Sequence, residues 1–164
     1  MYSFGNEAQK TLEQLSRTGA FFTVKNGEKT NTMTIGWGSL SQYWGDEVFI
    51  APIRLSRYSH QLLQNTDEFT ISIPTNESFD EALKICGSVS GKNTDKFDAA
   101  NIKTKPSENI STPLIDGCGI FYECKIVCRI PLKKEAMNTE IQDRWYANND
   151  IHELIFGKII SCHR

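Results

Sequence analysis

The sequence predicts a mostly β fold, an antiparallel barrel with a few short helices at its rim. Three observations predict it. About six apolar or alternating segments have the length of strands, many connections between them are as short as hairpin loops, and strands and helices do not alternate regularly. The 164 residues are enough for one hydrophobic core, and we expect a single domain over residues 1–164.

Composition argues against several classes of protein. The net charge is −2, so the chain has no general attraction for nucleic acid or anionic membranes, and any anion site must be local. No apolar run reaches the length of a membrane span. Residues 1–6 lack the basic and apolar regions of a signal peptide. We therefore expect a cytoplasmic protein that binds neither nucleic acid nor membranes.

The first half of the chain predicts one helix and three strands. Ala8, Leu12 and Leu15 stand at helical spacing and indicate a helix with these residues on its inner face. A compact apolar strand, a turn and a glycine-containing strand follow, and the glycines let a ligand or another backbone approach closely. The last strand is continuously apolar, which predicts burial on both sides. We expect the helix at residues 5–17, the three strands at 20–24, 32–39 and 48–53, and turns at 26–27 and 41–46.

The second half predicts short helices between strands. Capping residues indicate helix starts at Ser56, at a capping box from Ser78 to Glu81, and at Asn93 or Thr94. Alternating apolar residues indicate the strands. The expected elements are helices over 56–63 and 78–86, a short helix that carries Phe97, and strands over 69–73, 119–130 and 154–162, the last two joined by a polar stretch over 133–150.

The five cysteines show neither a disulfide framework nor metal-ligand spacing. Cys124 and Cys128 belong to an alternating run, and we expect them to face the core as free thiols, together with Ile126 and Ile130. A metal site that includes Cys118 would lack a Cys-x-x-Cys pair and a nearby His. We expect no bound metal.

Two segments about a dozen residues apart predict a ligand pocket. Arg54-Leu55-Ser56-Arg57-Tyr58 joins a buried strand to a helix, and its guanidinium and hydroxyl groups suit a phosphate. Asn31 to Ser39 offers hydroxyls, small residues and open backbone for a flat ring. A flat ring joined to a phosphate describes a flavin mononucleotide. Structural alternatives stay open: Ser56 as a helix cap, the arginines as partners of surface carboxylates, and the ring segment as core.

Two further features point to the same chemistry. The segment from Ser88 to Phe97 contains hydroxyls, a glycine and two lysines, although its spacing differs from that of a nucleotide-binding P-loop and it is equally consistent with a solvated loop. His152 is a lone histidine, a type more often structural than catalytic. The sequence contains no recognisable catalytic constellation, which is typical of proteins whose cofactor carries the chemistry.

Four blocks together resemble the flavin reductase-like proteins with an FMN-binding split β-barrel, the group that contains flavoredoxin and NAD(P)H:FMN oxidoreductases. The blocks occur in the family's order and extend over nearly the whole chain. They are NTMTIGWGS at Asn31–Ser39, RLSRY at Arg54–Tyr58, CGSVSGKNTDKF at Cys86–Phe97, and His152 with Gly157 five residues later.

The resemblance implies a homodimer with tightly bound FMN near the subunit interface. It implies that Arg54, Ser56 and Arg57 hold the phosphate, that the loop from Ser88 to Lys96 closes over the cofactor, and that His152 lies where a nicotinamide approaches. The residues expected to bind the cofactor are Asn31, Thr32, Met33, Thr34, Ser39, Arg54, Ser56, Arg57, Tyr58, Ser90, Lys92 and Lys96.

The expected function is oxidoreduction, in which NAD(P)H passes a hydride to bound FMN and electrons leave to a free flavin, ferric iron or a redox protein. The alternatives are a non-enzymatic FMN electron carrier and a split barrel that binds partners without a cofactor. Two residues depart from the family pattern, Leu55 in place of Pro and Glu153 in place of Thr. We expect the charge of Glu153 to weaken docking of an anionic dinucleotide.

Overall fold

The computed structural model describes residues 5–164. Met1–Phe4, on which part of the expectation about a signal peptide depends, lie outside the described residues. Within residues 5–164, every helix is too short or too polar to cross a membrane.

In the part of the chain that the structure describes, seven strands form one antiparallel sheet, and two shorter strands pair separately. The strands are β1 (Ala20–Asn26), β2 (Lys29–Ile35), β3 (Ser39–Tyr43), β4 (Asp46–Arg54), β5 (Glu68–Ile73), β6 (Thr104–Lys105), β7 (Leu114–Ile115), β8 (Ile120–Pro131) and β9 (His152–His163). Their order in the large sheet is β2-β1-β5-β8-β9-β4-β3. The predicted mostly antiparallel architecture is confirmed.

One hydrophobic core lies inside this sheet. It takes side chains from six of the seven strands, which requires the sheet to wrap around the core as a barrel. The two edge strands, β2 and β3, are joined by Gly36–Gly38. Representative core residues, one from each contributing strand, are Phe22, Met33, Phe49, Ile71, Tyr122 and Ile155.

Within the described residues, five short α-helices surround the barrel: α1 (Glu7–Arg17), α2 (Tyr58–Leu63), α3 (Asp80–Ser88), α4 (Lys96–Ala99) and α5 (Thr139–Trp145). Helix α3 packs outside the barrel through a second apolar cluster that includes Phe21, Leu83 and Phe121. Single 3₁₀ turns occur at Glu77–Phe79 and Lys134–Ala136. The polar pattern of residues 133–150 did not indicate α5, which has no buried residue.

The inner face of α1 differs from the predicted one. Leu12, expected to face inward, is exposed, whereas Thr11, Gln14 and Leu15 are buried. The Thr11 hydroxyl is 2.7 Å from the Tyr122 hydroxyl, and the Gln14 amide donates to the Gly19 carbonyl at 3.0 Å. These polar contacts set the rotation of the helix, which apolar spacing alone did not reveal.

The segment predicted as one strand over residues 32–39 is two strands. β2 starts earlier and ends at Ile35, and β3 begins at Ser39 and occupies part of the predicted turn. Gly36-Trp37-Gly38 breaks the strand, and the β3–β4 hairpin turns at Trp44 (φ 55°) and Gly45 (φ 81°). Because β3 is polar and half-exposed, its sequence resembled a loop.

Two strands are less buried than predicted. In β4, Phe49 and Ala51 face the core, but Ile50 is half-exposed. In β8, Cys124 is buried in the core, whereas Cys128 is half-buried and Ile130 exposed. Irregular pairing with β9 near positions 123–124 and 126–128 shifts the β8 register, and a bulge of this kind reverses the faces of the residues that follow. All five cysteines are free thiols, as expected.

Candidate functional site

An aromatic cleft of about 170 Å³ opens where β2 ends and β9 begins. Its floor is the end of β2 from Met33 to Ile35, and the Gly36–Gly38 break leaves backbone accessible there. Trp37, Trp145 and His152 stand around it. The Trp37 and Trp145 rings meet edge to face with centroids 4.9 Å apart. The cleft therefore combines open backbone with flat apolar walls, as a planar ring would require.

A polar cavity of about 140 Å³ adjoins the aromatic cleft. Met33 and Arg57 line both spaces, so they form the partition between them. The sequence brings α2, the end of α3 and the following loop to this point. The other polar side chains around the cavity are Asn31, Ser56, Tyr58, Ser59, Ser88, Ser90 and Lys96.

Lys96 places a buried positive charge at the polar cavity. Lys96 is the first residue of α4, directly after the Asp95 N-cap, and it is 4% exposed. Its Nζ donates a hydrogen bond to the Cys86 carbonyl at 2.7 Å. Burial lowers the Lys96 pKa to about 8, an effect that the nearby Cys86 opposes and the Arg57 charge reinforces. Within residues 5–164, neither Lys96 nor Arg57 forms an ion pair with a carboxylate. The cavity is therefore electrostatically suited to an anion.

The loop after α3 lies directly against Asn31. The Asn31 amide donates to the Ser59 hydroxyl at 2.8 Å. A Cβ atom on Gly91 would lie 1.8 Å from Asn31 Oδ1, closer than any side chain can approach. Gly91 therefore allows the loop that carries Ser90 to close onto the Asn31–Ser59 pair.

Arg54 and Ser56 make contacts that the sequence did not predict. Arg54 donates to the backbone carbonyls of Trp145, at 3.1 Å, and Asp150. Ser56 donates from Oγ and from its backbone N–H to the Asp150 carboxylate, at 2.7 and 3.2 Å. Arg57, and not Ser56, occupies the N-cap position of α2, without a side-chain cap bond. Both predicted phosphate ligands therefore fasten the segment that precedes β9.

His152 lies in the aromatic cleft and is buried. Its Nδ1 is 2.8 Å from the Tyr146 hydroxyl, and its ring centroid is 5.1 Å from that of Trp37. Burial, and secondarily the Arg54 charge, lower the His152 pKa to about 4, partly opposed by Asp150. The imidazole is therefore neutral at physiological pH, and its contact with Tyr146 fixes the ring at the cleft.

The comparison with known families decides the relationship. The family profile described as "Flavin reductase like domain" matches residues 9–164. The chain belongs to the flavin reductase-like family. An uncharacterized protein of Archaeoglobus fulgidus is 28% identical over 122 residues, which are 74% of this chain and 68% of that protein.

Solved structures of other flavin reductase-like proteins share the fold. Flavoredoxin of Methanosarcina acetivorans superposes with a TM-score of 0.68 at 19% identity, covering 89% of this chain and 67% of that one. An NADH:FAD oxidoreductase of Streptomyces globisporus superposes with a TM-score of 0.70 at 18% identity, covering 100% of this chain and 86% of that one. At these identities the likeness establishes the fold alone.

Glu153, one of the two departures from the flavin reductase-like pattern, lies outside the aromatic cleft. It neighbours His152 on β9, so the two side chains point to opposite faces. Its Oε2 is 2.8 Å from His60 Nε2, and both side chains are largely buried. Glu153 therefore contacts α2 and not the cleft, and its expected effect on the docking of a dinucleotide stays a prediction.

The remaining predicted residues divide between the two spaces and their surroundings. Thr34 lines the cleft and donates from its hydroxyl to the Leu83 carbonyl. The Thr32 hydroxyl is buried against Thr23, 3.0 Å away, so Thr32 would contribute through its backbone. Ser39 is half-exposed on β3, apart from the residues that line either space. Lys92 lines an open groove next to the polar cavity. Tyr58 and Lys96 line both the groove and the cavity.

Sequence reasoning missed Ser59, Trp145 and Asp150, whereas Ser88 belongs to the loop that was expected to close over the cofactor. Ser59 stands directly after the quoted block Arg54–Tyr58, so its position next to that block could have indicated it. Trp145 and Asp150 belong to a polar connection without periodicity. Their place at the site follows from contacts across more than ninety residues of sequence.

Proposed function

We propose that this protein binds FMN across the two spaces, with the flavin ring in the aromatic cleft and the phosphate in the polar cavity. The observation that carries the proposal is the pair of cations, Lys96 and Arg57, that face the polar cavity without a carboxylate partner among the described residues. A bound phosphate would supply the missing charge through charge-assisted hydrogen bonds. The two adjoining spaces suit the two ends of FMN, because the polar cavity suits its phosphate and the flat-walled cleft beside it suits its ring.

The phosphate would be held by Arg57, Lys96 and the hydroxyls of Ser59 and Ser90. These residues come from the start of α2, the loop after α3 and the start of α4, they meet at one cavity, and the Gly91 loop lies against Asn31 beside them. The sequence had assigned this role to Arg54 and Ser56 as well. Both residues instead bond to the 145–150 segment, and the bonds from Arg54 to two backbone carbonyls support a positioning role for this residue.

We further propose NAD(P)H-dependent reduction of the bound flavin. FMN, when bound, would supply the hydride-accepting chemistry that the side chains of this protein lack. The protein would contribute position: the β2 backbone as a floor, neutral His152 at the side where a nicotinamide approaches, and Trp37 as a wall of the cleft. The electrons would leave to a free flavin, ferric iron or a redox protein.

A second candidate function is an FMN electron carrier without its own NAD(P)H activity. The edge-to-face contact between Trp37 and Trp145, each about two-fifths exposed, favours it. These rings narrow the mouth of the cleft, and a nicotinamide ring would have to displace one of them. Electron transfer to another protein requires close approach alone.

We also propose a homodimer. The outer face of β3, β4 and β9 presents an aromatic group in which Tyr43 and Trp44 pack beside Phe156. Trp44 is 64% exposed at the tip of its hairpin, an unusual position for so large an apolar ring. A second copy of the chain would cover it. Light scattering coupled to gel filtration measures the mass directly, and a monomer at micromolar concentration would contradict the proposal.

Two titrations test the proposed function. When FMN is titrated with the apoprotein, its fluorescence should fall to a defined end point. FMN fluorescence that does not change would rule out both flavin functions. Anaerobic addition of NADH, and separately NADPH, to the FMN complex should then bleach the flavin absorbance. A complex that binds FMN but is not bleached by either nucleotide is the carrier.

A further inference from the structure

The connection between β8 and β9 covers the aromatic cleft, and we call residues 133–150 the flap. Its helix, α5, has no buried residue, and the flap is held on the barrel by the buried Tyr146, which follows the helix, and by polar contacts. Trp145, the last residue of that helix, lines the cleft. The position of the flap therefore decides how far the cleft is open.

Polar contacts fasten the end of the flap that lies beside the cleft. Asp150 accepts from the Ser56 hydroxyl at 2.7 Å and from the Ser56 N–H at 3.2 Å, and we call this pair of bonds the latch. Arg54 adds bonds to the carbonyls of Trp145 and Asp150. The Leu55 N–H donates to Ile151 at 3.0 Å, which anchors the chain just beyond the flap.

Ser56 belongs to two structures at once. It forms the latch, and it also lines the polar cavity beside Arg57, Ser59 and Lys96. A carboxylate and a phosphate are both anionic acceptors that use the same N–H and O–H donors. A phosphate in the cavity would therefore meet Ser56 donors already engaged by Asp150, and the two anions would repel each other.

We propose that Asp150 is a specificity-determining residue whose carboxylate competes with the flavin phosphate for Ser56. The proposal rests on the FMN-binding function above. A flavin that carries a phosphate displaces Asp150, opens the latch and frees the flap. A flavin without the phosphate leaves the latch closed and Trp145 over the cleft.

The competition lowers the affinity for phosphorylated flavin and couples its binding to the flap. The latch must open before the phosphate is fully bound, so the apparent affinity is reduced by the fraction of molecules with a closed latch. Substituting Asp150 removes this cost. Riboflavin, which has the same ring without the phosphate, is the matched ligand because it does not contest Ser56.

The experiment compares FMN and riboflavin on three proteins: the unmodified chain, Asp150→Ala, and Asp143→Ala. Asp143 is an exposed carboxylate on the same flap, so its variant controls for the loss of one negative charge. Asp150→Ala should bind FMN about tenfold more tightly, the value for a latch closed about nine-tenths of the time. Its riboflavin affinity should change by much less than tenfold, since riboflavin does not contest Ser56, and both affinities of Asp143→Ala should stay unchanged.

Hydrogen–deuterium exchange supplies a readout that a purely structural role would not move. In the unmodified chain, FMN should accelerate amide exchange over residues 139–146, whereas riboflavin should not. In Asp150→Ala these amides should exchange fast before any ligand is added, while circular dichroism confirms an intact barrel.

The outcomes separate the inference from the function beneath it. If FMN binds but leaves exchange in the flap unchanged, or if Asp150→Ala alters both flavin affinities equally, the competition is overturned and the FMN function stands. If neither flavin binds to the unmodified chain, the proposed function fails, and the competition fails with it.

Discussion

His60 Nε2 and Glu153 Oε2 lie 2.8 Å apart, a polar contact that ties α2 to β9 on the face opposite His152. Both side chains are about one-eighth exposed, so either would be poorly solvated without the other. The contact also explains how a carboxylate is accommodated next to His152 on β9 without lining the aromatic cleft.

Replacing His60 by Ala should destabilise the protein by about 1–3 kcal/mol, because the buried carboxyl group of Glu153 would lose its hydrogen-bond partner. Urea denaturation measures the loss. The double variant His60→Ala/Glu153→Ala should be more stable than His60→Ala, since the orphaned carboxylate is gone. Equal stability of the two variants would show that the pair contributes no coupling.

Replacing Lys96 by Met should weaken FMN binding at least tenfold, the scale of one charge-assisted hydrogen bond. Riboflavin affinity should not change. Lys84→Met on the exposed side of α3 is the matched control, because the Lys84 side chain pairs with Glu81 at the surface and does not line the cavity. Loss of affinity for both flavins in Lys96→Met would indicate a folding defect instead.

Lys96 also predicts a pH dependence of FMN binding. Its pKa of about 8 means that the ammonium is charged below that pH and neutral above it in the ligand-free protein. The affinity for FMN should therefore be level below about pH 7.5 and fall as the pH rises through 8. Fluorescence titrations from pH 6.5 to 9.5 measure the curve, and in Lys96→Met this fall should disappear.

Replacing Gly91 by Ala should weaken FMN binding and lower stability, because the new methyl group would collide with the Asn31 side chain. The loop must then lift away from the polar cavity. Asn31→Ala in the same chain creates room for the methyl group. Gly91→Ala should therefore cost less stability in the Asn31→Ala background, and an unchanged cost would place the strain elsewhere.

His152 should make the protein less stable in mild acid. Its pKa is lowered from 6.5 to about 4 on folding, so the unfolded chain binds a proton between these values and the folded chain does not. Stability is complete above about pH 6.5 and falls toward pH 4. Linkage gives a loss of about 2 kcal/mol between pH 7 and pH 5. His152→Gln should lose correspondingly less in urea denaturation at those two pH values.

The barrel was predictable because its inner positions are strongly patterned. Phe69, Ile71 and Ile73 alternate without interruption, and β5 follows them closely. The pattern failed where contacts beyond the strand decide the outcome. Glu123 reads as an outward residue, yet it is buried because the backbone N–H groups of Glu108 and Asn109 donate to its carboxylate, which also lowers its pKa despite burial.

The site was predictable where its residues are close in sequence. Arg57, Ser90 and Lys96 fall within the quoted blocks, and all three line the polar cavity. The role of Arg54 and Ser56 was not predictable, because it depends on Asp150 arriving from a polar stretch that shows no helical or strand period. A sequence pattern identifies which groups can bind an anion. It does not show whether a carboxylate from elsewhere in the chain, here Asp150, already accepts their hydrogen bonds.

Arg57 and Met33, which divide the aromatic cleft from the polar cavity, also set how the two ends of a ligand work together. Riboflavin and free phosphate, when they bind as two separate molecules, each lose translational and rotational entropy on association. When a short ribityl chain joins the ring to the phosphate across this partition, the second contact forms at a high effective concentration. Free phosphate and riboflavin together should therefore never reproduce the affinity of FMN, however much of each is added, because the gain comes from the covalent tether that spans Arg57.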